Sequence, residues 1–449
     1  MEGKIKTTEG WITIRLDEIG TIFSGSTPST SNRSLWDGDI VWVTPNDLSK
    51  LKTPYLCDSG KMITEKGLKS CSAQLLPAGS LVMSSRAPIG YVALPTVQFC
   101  TNQGCKTIKL KGKFHPEFTY YNVLFNIDKV KNLGEGTTFA EISKASLSTV
   151  ELDFPATLSE QTKIAEILST TDRAIEQTEA LIAKQQRIKT GLMQDLLTRG
   201  IDEHGNLRSE KTHQFKNSPL GRIPVEWKVK EIGDIFEIQL GKMLSQKATE
   251  GHSPFYYLGN KNVQWDHVET SDLQMMDFNE RERHKYDLKL GDILVCEGGE
   301  VGRTAIWRGE VGNCYYQKAI HRLRPVNQQY LPGLFPKFMK WCIRMGLLSD
   351  FTSQTSIAHL TQEKLATVPI MVPSLPEQKK LIAVFDQLDN DFGNQFAKLI
   401  KLRSLKTALM QDLLTGRKRI ATMRNEIEVA SPFYRFSLGK ADGKKNTIR

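Results

Sequence analysis

Two glutamates three residues apart, Glu297 and Glu300 in the string EGGE, are the side chains best spaced to hold a divalent cation, since hard cations take carboxylate oxygens. The matching positions of an internal repeat carry Ser85 and Pro88, so such a site would exist in one half of the chain only, and no metal is expected. A phosphate loop needs GxxxxGK[ST], because backbone N–H groups cradle the phosphates while the lysine reaches the outer ones. LGKADGKKNT near the end has too few residues between its glycines, and GEGTTF at 134–139 lacks the lysine and reads as a turn. Neither [DN]-P-P-[FYW], the usual mark of an adenine-N6 methyltransferase, nor an FxGxG-like cofactor loop occurs. The eight histidines contain no His-x-x-x-His pair. The seven cysteines are odd in number and contain no Cys-x-x-Cys, which argues against a disulfide framework or zinc ribbon and for a reducing, cytoplasmic setting. The residues thus predict a chain with no catalytic site, no metal and no cofactor of its own.

What the chain does offer is cationic charge. Its formal net charge is +10 and its pI about 9.1, which favours a polyanionic partner such as nucleic acid without specifying a fold. The start, MEGKIKTTEGWITI, lacks a signal peptide's apolar core. No run approaches the ~18 apolar residues that span a bilayer, so no membrane partner is expected.

The elements that would position any binding residues are duplicated. KIAEILSTTDRAI and KLIAVFDQLDNDF follow Glu160–Gln161 and Glu377–Gln378, and each leads to LMQDLLT, at 192–198 and again at 409–415, 217 residues on. Upstream, Trp11 matches Trp227, Gly25 matches Gly241 and Ser29 matches Ser245. GSLVMSSRAPIG (79–90) matches GDILVCEGGEVG (291–302), and TTFAEISKASLSTVELDFP (137–155) matches TSIAHLTQEKLATVPIMVP (355–373). At 449 residues the chain is long enough for two such units.

Apolar residues at helical spacing predict a helix over about 159–198, with Ser159 as cap, and a second in which Pro376 lies in the first turn. Gly191 and Gly393 interrupt them at modest cost. About 40 residues make a rod of roughly 60 Å, whose apolar stripe needs a partner: the other helix, antiparallel, or each helix's own domain. The globular parts read as mixed α/β, with a strand running into a turn over 39–48, strands at 80–85, 106–110, 292–296 and 319–325, and helices at 63–70, 117–127 and 334–347. The expected fold class is α+β: two mixed α/β domains joined by two long antiparallel coiled-coil helices with pseudo-two-fold symmetry. The expected boundaries are 1–155 for the first domain, 156–200 for its helix, 201–224 for a polar linker, 225–373 for the second domain, 374–416 for its helix, and 417–449 for a basic tail.

Specific strings sharpen this. They are Trp-x7-Ile at each domain start (Trp11–Ile19, Trp227–Ile235), G-x3-S after it, SSRAPIGYVA at 84–93, TNQGCKTI at 101–108, the Glu-Gln that enters each helix, LMQDLLT that closes it, and SPLGRIPVEW at 218–227. In these strings, over residues from about 10 to 420, the chain resembles the specificity subunits of type I restriction–modification systems. The resemblance implies that each domain is a target-recognition domain reading half of a bipartite site in double-stranded DNA. It implies that the helices set the gap and dock two modification subunits, which bind S-adenosylmethionine and methylate adenine N6. Two restriction subunits that hydrolyse ATP with Mg join them in systems that also cut. A coiled-coil scaffold without sequence-specific DNA binding is the alternative.

Base edges are read by Arg on guanine and by Asn or Gln on adenine, while Lys and Arg on phosphates supply salt-dependent affinity. The candidates in the first domain are Asn46 and Lys50 in TPNDLSK, Ser84 and Arg86 in SSRAPIG, and Asn102, Gln103 and Lys106 in TNQGCK. In the second they are Asn260, Lys261 and Asn262 in LGNKNVQW, Glu297 and Arg303 in EGGEVGRT, and Gln317 and Lys318 in YQKA. Gln103 and Gln317 match in the repeat, which suits a fold determinant as well as a base reader. Arg86 has an equal claim to anchoring its turn, and Asn102 to capping a loop. Trp42, Tyr257 and Trp265 suit core packing better than contact with sugars or flipped bases.

Overall fold

The computed structural model describes residues 9–86, 88–134, 141–245, 254–351 and 359–420. They fall into two compact mixed α/β units, one drawn from Met1–Glu179 together with Ala397–Arg449, the other from Ala180–Phe396. Most of the expected tail, and the GEGTTF string beyond Gly134, lie outside the described residues.

Unit 1 is built on a five-stranded sheet in the order Gly20–Ser24, Cys105–Leu110, Leu81–Ser84, Val92–Pro95, Tyr55–Leu56. Leu81–Ser84 is buried at every position because side chains alternate between two covered faces. Leu81 and Met83 join a core with Phe118 and Ile164, while Val82 joins a second core with Val41 and Phe99. Unit 2 repeats the device on a four-stranded sheet, Phe236–Leu240, Ile320–Pro325, Ile293–Cys296, Thr304–Ile306. There Ile293 and Val295 face one core, and Leu294 and Cys296 the other. Smaller sheets complete each unit, among them Met62–Ile63 with Trp36–Val43 and Phe99–Thr101 in unit 1, and Gln274–Asp277 with Pro254–Leu258 and Tyr315–Tyr316 in unit 2. The turn expected at the end of 39–48 is a short helix, Pro45–Ser49. Its Thr44 hydroxyl and backbone N–H both donate to Asp47.

The long helices are Leu158–Thr198 and Leu375–Leu413. Ser159 does not cap the first. Thr157 Oγ1 accepts from the Glu160 N–H at 3.3 Å, and Ser374 Oγ does the same for Glu377 in the second. Gly191 and Gly393 lie within unbroken helix, with nothing near the space a Cβ would take. The repeated Glu-Gln now has a physical reason. Gln161 and Gln378 are buried, and their amides tie the helix start to Pro155 O and Pro373 O respectively. Their Oε1 atoms accept from the His115 and Leu331 N–H groups. The glutamates bind arginines. Glu160 takes Arg419 through two hydrogen bonds of 2.8 and 2.9 Å, and Glu377 takes Arg208 in the same bidentate way.

Each arginine follows the end of the other repeat's helix. The ends themselves follow suit: Leu196 and Leu197 are buried in the unit 2 core with Trp227 and Phe385, and Leu413 and Leu414 in the unit 1 core with Trp11 and Ile164. Within unit 1 the two helices exchange ion pairs in opposite chain order, Asp172 with Lys406 at 2.6 Å and Glu179 with Arg403 at 2.6 Å. Within unit 2, Lys189 pairs with Asp389. Both lysines and both aspartates are 217 residues apart, so the same pair is formed twice.

Residues 201–224, expected as a linker, are folded. Phe215–Ser218 and Gly221–Pro224 form a hairpin, and Ile201, Leu220 and Ile223 are buried in the unit 2 core. The turn formers that suggest a linker close this hairpin, and the three apolar side chains hold the segment to the core.

Candidate nucleic-acid interface

Each sheet delivers a cluster of loops to one place, and a glycine makes the approach possible. In unit 1 the strand Gly20–Ser24 runs into Gly25, where a Cβ would lie 1.9 Å from Asn102 O. No residue but glycine fits against TNQG. Ser26 N–H then donates to Thr101 O (2.9 Å), Asn102 N–H to Val43 O (3.0 Å), Ser85 N–H to Gly104 O (2.8 Å) and Ile142 N–H to Ser85 O (2.8 Å). The segments around 25–27, 43–46, 84–90, 101–106 and 141 are thereby locked together by backbone alone.

Unit 2 uses the same frame. A Cβ at Gly241 would sit 2.3 Å from Gln317 O. Lys242 N–H donates to Tyr316 O (3.1 Å), Gln317 N–H to Leu258 O (3.0 Å), Glu297 N–H to Ala319 O (2.9 Å) and Leu360 N–H to Glu297 O (2.9 Å). The frame is common to both units, and the side chains on it are not: it places Gln317 opposite Asn102, and not opposite Gln103 as the sequence match has it. Arg86 and Glu141 of unit 1 stand where unit 2 has Gly298 and His359.

In unit 1, Asn46, Lys50, Arg86 and Gln103 are exposed. Arg86 Nε meets Glu141 Oε2 at 2.9 Å, and the Arg86 side chain remains 47% exposed. Gln103 Oε1 accepts from the Thr27 hydroxyl. Three candidates turn inward instead. Ser84 is fully buried, its hydroxyl donating to Pro88 O and accepting from Tyr91 N–H. Asn102 Oδ1 accepts from Gly104 N–H at 3.0 Å and shapes its own turn. Lys106 is 5% exposed and lies 3.6 Å from Glu141. Glu141, which binds both cations, was missed by sequence reasoning. No signal in the sequence marks it, because Glu141 against His359 is one of many positions at which 137–155 and 355–373 differ.

In unit 2 the candidates divide likewise. Lys261 is exposed and paired with Asp272, and Lys318 is exposed. Asn260, Glu297 and Gln317 are half-buried. Asn262 is buried, with Oδ1 accepting from Gly259 N–H and Nδ2 donating to Glu269 O, so it is a turn-former. Arg303 reaches inward to Asn260 O at 2.7 Å and to Glu300 at 3.4 Å. Trp42 and Tyr257 are buried, each with its polar atom satisfied internally, and Trp265 is half-buried.

The cysteines of the cluster are buried and their thiols are held protonated. All seven cysteines are free. Burial pushes the thiols of Cys100 and Cys105 up to about 12, and that of Cys296 up to about 11 against the pull of Arg303. Glu300 is occupied by the Trp265 indole and Arg303. Among the described residues, no group of three or more His, Cys, Asp or Glu is placed to hold a metal ion, and no helix is long and apolar enough to cross a membrane.

Comparison with known proteins places this architecture. The family model described as "Type I restriction modification DNA specificity domain" matches residues 8–185 and again 224–402. The chain is 28% identical over 429 residues to the type I restriction enzyme MjaIX specificity subunit of Methanocaldococcus jannaschii, covering 92% of this chain and 95% of that one. It is 24% identical over 291 residues to the EcoDI specificity subunit of Escherichia coli, covering 61% and 62%. Among solved structures it is similar to the S subunit of a type I restriction–modification system from M. genitalium, with TM-score 0.52 and 17% identity, covering 92% of this chain and 98% of that one. It is also similar to the HsdS subunit from Thermoanaerobacter tengcongensis, with TM-score 0.52 and 19% identity, covering 92% and 99%.

Proposed function

Because the chain belongs to the family of type I restriction–modification DNA specificity proteins, we propose that it is the recognition subunit of such a complex and that each domain reads one half of a split site in double-stranded DNA. The observation that carries this reading is the duplicated loop frame bearing different side chains. A common frame presents loops to a common ligand, DNA, while Arg86 and Glu141 against Gly298 and His359 present it with different chemistry. In this reading Asn46, Lys50, Arg86 and Gln103 of the first domain and Asn260, Lys261, Glu297, Gln317 and Lys318 of the second face the DNA. Ser84, Asn102, Lys106, Asn262 and Arg303 hold the loops in shape.

The two long helices act as an antiparallel, pseudo-two-fold spacer, a role supported by the duplicated Lys–Asp pairs and Leu-Leu ends. They dock two modification subunits, which supply S-adenosylmethionine and methylate adenine N6. Restriction subunits with ATP and Mg complete a cutting complex. This chain contributes recognition and no catalysis. The test is a long-read methylation map of a methylation-free host expressing the chain with its modification partner. A split N6-methyladenine motif is expected, and Arg86→Gln is expected to relax one position in one half of it, since a base contact discriminates by about 1–3 kcal/mol. Absence of any split motif, together with no salt-dependent binding to duplex DNA, would leave the scaffold reading standing instead.

A further inference from the structure

A chain of polar contacts runs through unit 2 from its helix pair to its candidate reading loop. It starts at Asp389 on the second long helix, which Lys189 of the first helix and Lys337 both approach, the latter at 2.5 Å. Lys337 is only 9% exposed and also lies 3.3 Å from Asp266. Asp266 is shared with Lys340, one helical turn along from Lys337. The Lys340 ammonium stands 5.3 Å over the Trp265 ring. The Trp265 indole N–H donates to Glu300 at 2.6 Å. Glu300 meets Arg303, and Arg303 donates to Asn260 O at 2.7 Å. Asn260 closes the chain by donating to Gly298 O at 2.9 Å.

The path is built with care at its middle. Asp266 holds a left-handed backbone, φ +66°, that non-glycine residues seldom adopt. Burial alone would lower the Lys337 pKa, but Asp266 and Asp389 outweigh it and hold the ammonium above the ordinary lysine value. Among its described residues, unit 1 has the start of the path and differs at the next step. Asp172 takes Lys406 and the Tyr121 hydroxyl, and with Pro116 matched to Pro332, Leu124 stands where unit 2 has Lys340.

We propose that Lys337, Asp266, Trp265 and Glu300 are positioning residues for the second half-site: they hold Arg303, and through it the Asn260 loop, in register with the helix pair, whereas the first half-site is read by a loop without this tether. The proposal rests on the recognition reading above. None of the four touches DNA in this scheme. They act through the loop, so their loss loosens which base pairs are accepted in the second half only.

The test is the methylation map of the full-length chain with its modification partner, comparing wild type with Trp265→Phe, Glu300→Gln, Lys337→Met and Lys337→Arg. Trp265 is half-buried at the edge of the unit 2 core and Glu300 is exposed, so Trp265→Phe keeps an aromatic ring there and Glu300→Gln keeps the side chain's shape. Expected are an about tenfold rise in methylation at sites mismatched in the second half, within the range set by one base pair, an unchanged first half, and rescue by Lys337→Arg relative to Lys337→Met. An unaltered motif in Trp265→Phe and Glu300→Gln, or equal loosening of both halves, would overturn the tether. Should Lys337→Met fail to accumulate, the other two variants decide alone. A wild-type map without any split motif would instead overturn the recognition reading, and the tether with it.

Discussion

Replacing Arg208 by Met tests whether the arginine that follows the first helix holds unit 2 together. Arg208 and Glu377 are nearly sealed from solvent, with side chains 10% and 7% exposed. The carboxylate also accepts from Ile201 N–H and the Trp227 indole, each at 3.0 Å. Removing the guanidinium leaves a buried carboxylate with two neutral donors, which costs about 3–5 kcal/mol. In a unit of this size each kcal/mol moves the melting temperature about 2–4 °C, so a fall of at least about 6–12 °C is expected by calorimetry. The matching pair in unit 1 calibrates the claim. Arg419 is 38% exposed and Glu160 14%, so Arg419→Met should cost about 1 kcal/mol or less. Adding Glu377→Gln to Arg208→Met should restore part of the loss, because the charge that lacked a partner is gone. Equal shifts for the two arginine variants, or a double variant as unstable as the sum of the singles, would refute the argument that burial sets the magnitude.

Gly25→Ala and Gly241→Ala should each destabilise their unit by several kcal/mol, because the new methyl would meet a backbone carbonyl with no room to move; denaturant titration of both variants checks this, and wild-type midpoints would contradict it. His321 is buried with Nε2 2.8 Å from Leu360 O, and burial depresses its pKa below 6.5. The unfolded chain therefore binds a proton as pH falls past 6.5 while the folded chain does not, and stability is lost from about pH 6.5 down to the lower folded pKa. The melting temperature of wild type should fall more steeply than that of His321→Gln between pH 7.5 and 5, and parallel slopes would count against it.

The repeat, the two long helices and the central strands of each unit, such as Leu81–Ser84 and Ile293–Cys296, could be read from the sequence because they depend on periodicity and on self-comparison, whereas most of the short helices and short strands could not. Nor could the inward turn of Ser84 and Lys106. Leu81–Ser84 and Cys105–Ile108 are covered on both faces, so alternation gives no cue to which polar residue is trapped. Asn262 and Asn102 look like base readers by type, yet short amide side chains are equally suited to closing their own turns. Glu141 was invisible because a single carboxylate reveals its role only when Arg86 and Lys106 meet it in space. The purpose of LMQDLLT was hidden for a related reason. Its leucines continue the helical stripe, and nothing local says that they end in a core containing the other repeat's tryptophan.

Unit 2 is one continuous stretch, whereas unit 1 needs Leu413, Leu414 and Arg419 to finish its core. A ribosome adding about 5–20 residues per second delivers those residues some tens of seconds after the rest of unit 1. Synthesis thus inverts the usual N-terminal-first order: unit 2 can close while unit 1 still lacks the leucines that pack with Trp11 and Ile164. Until then unit 1 exposes apolar surface of the kind that chaperones and proteases engage, and a nonsense codon near residue 400 is expected to destabilise the unit encoded at the opposite end of the gene.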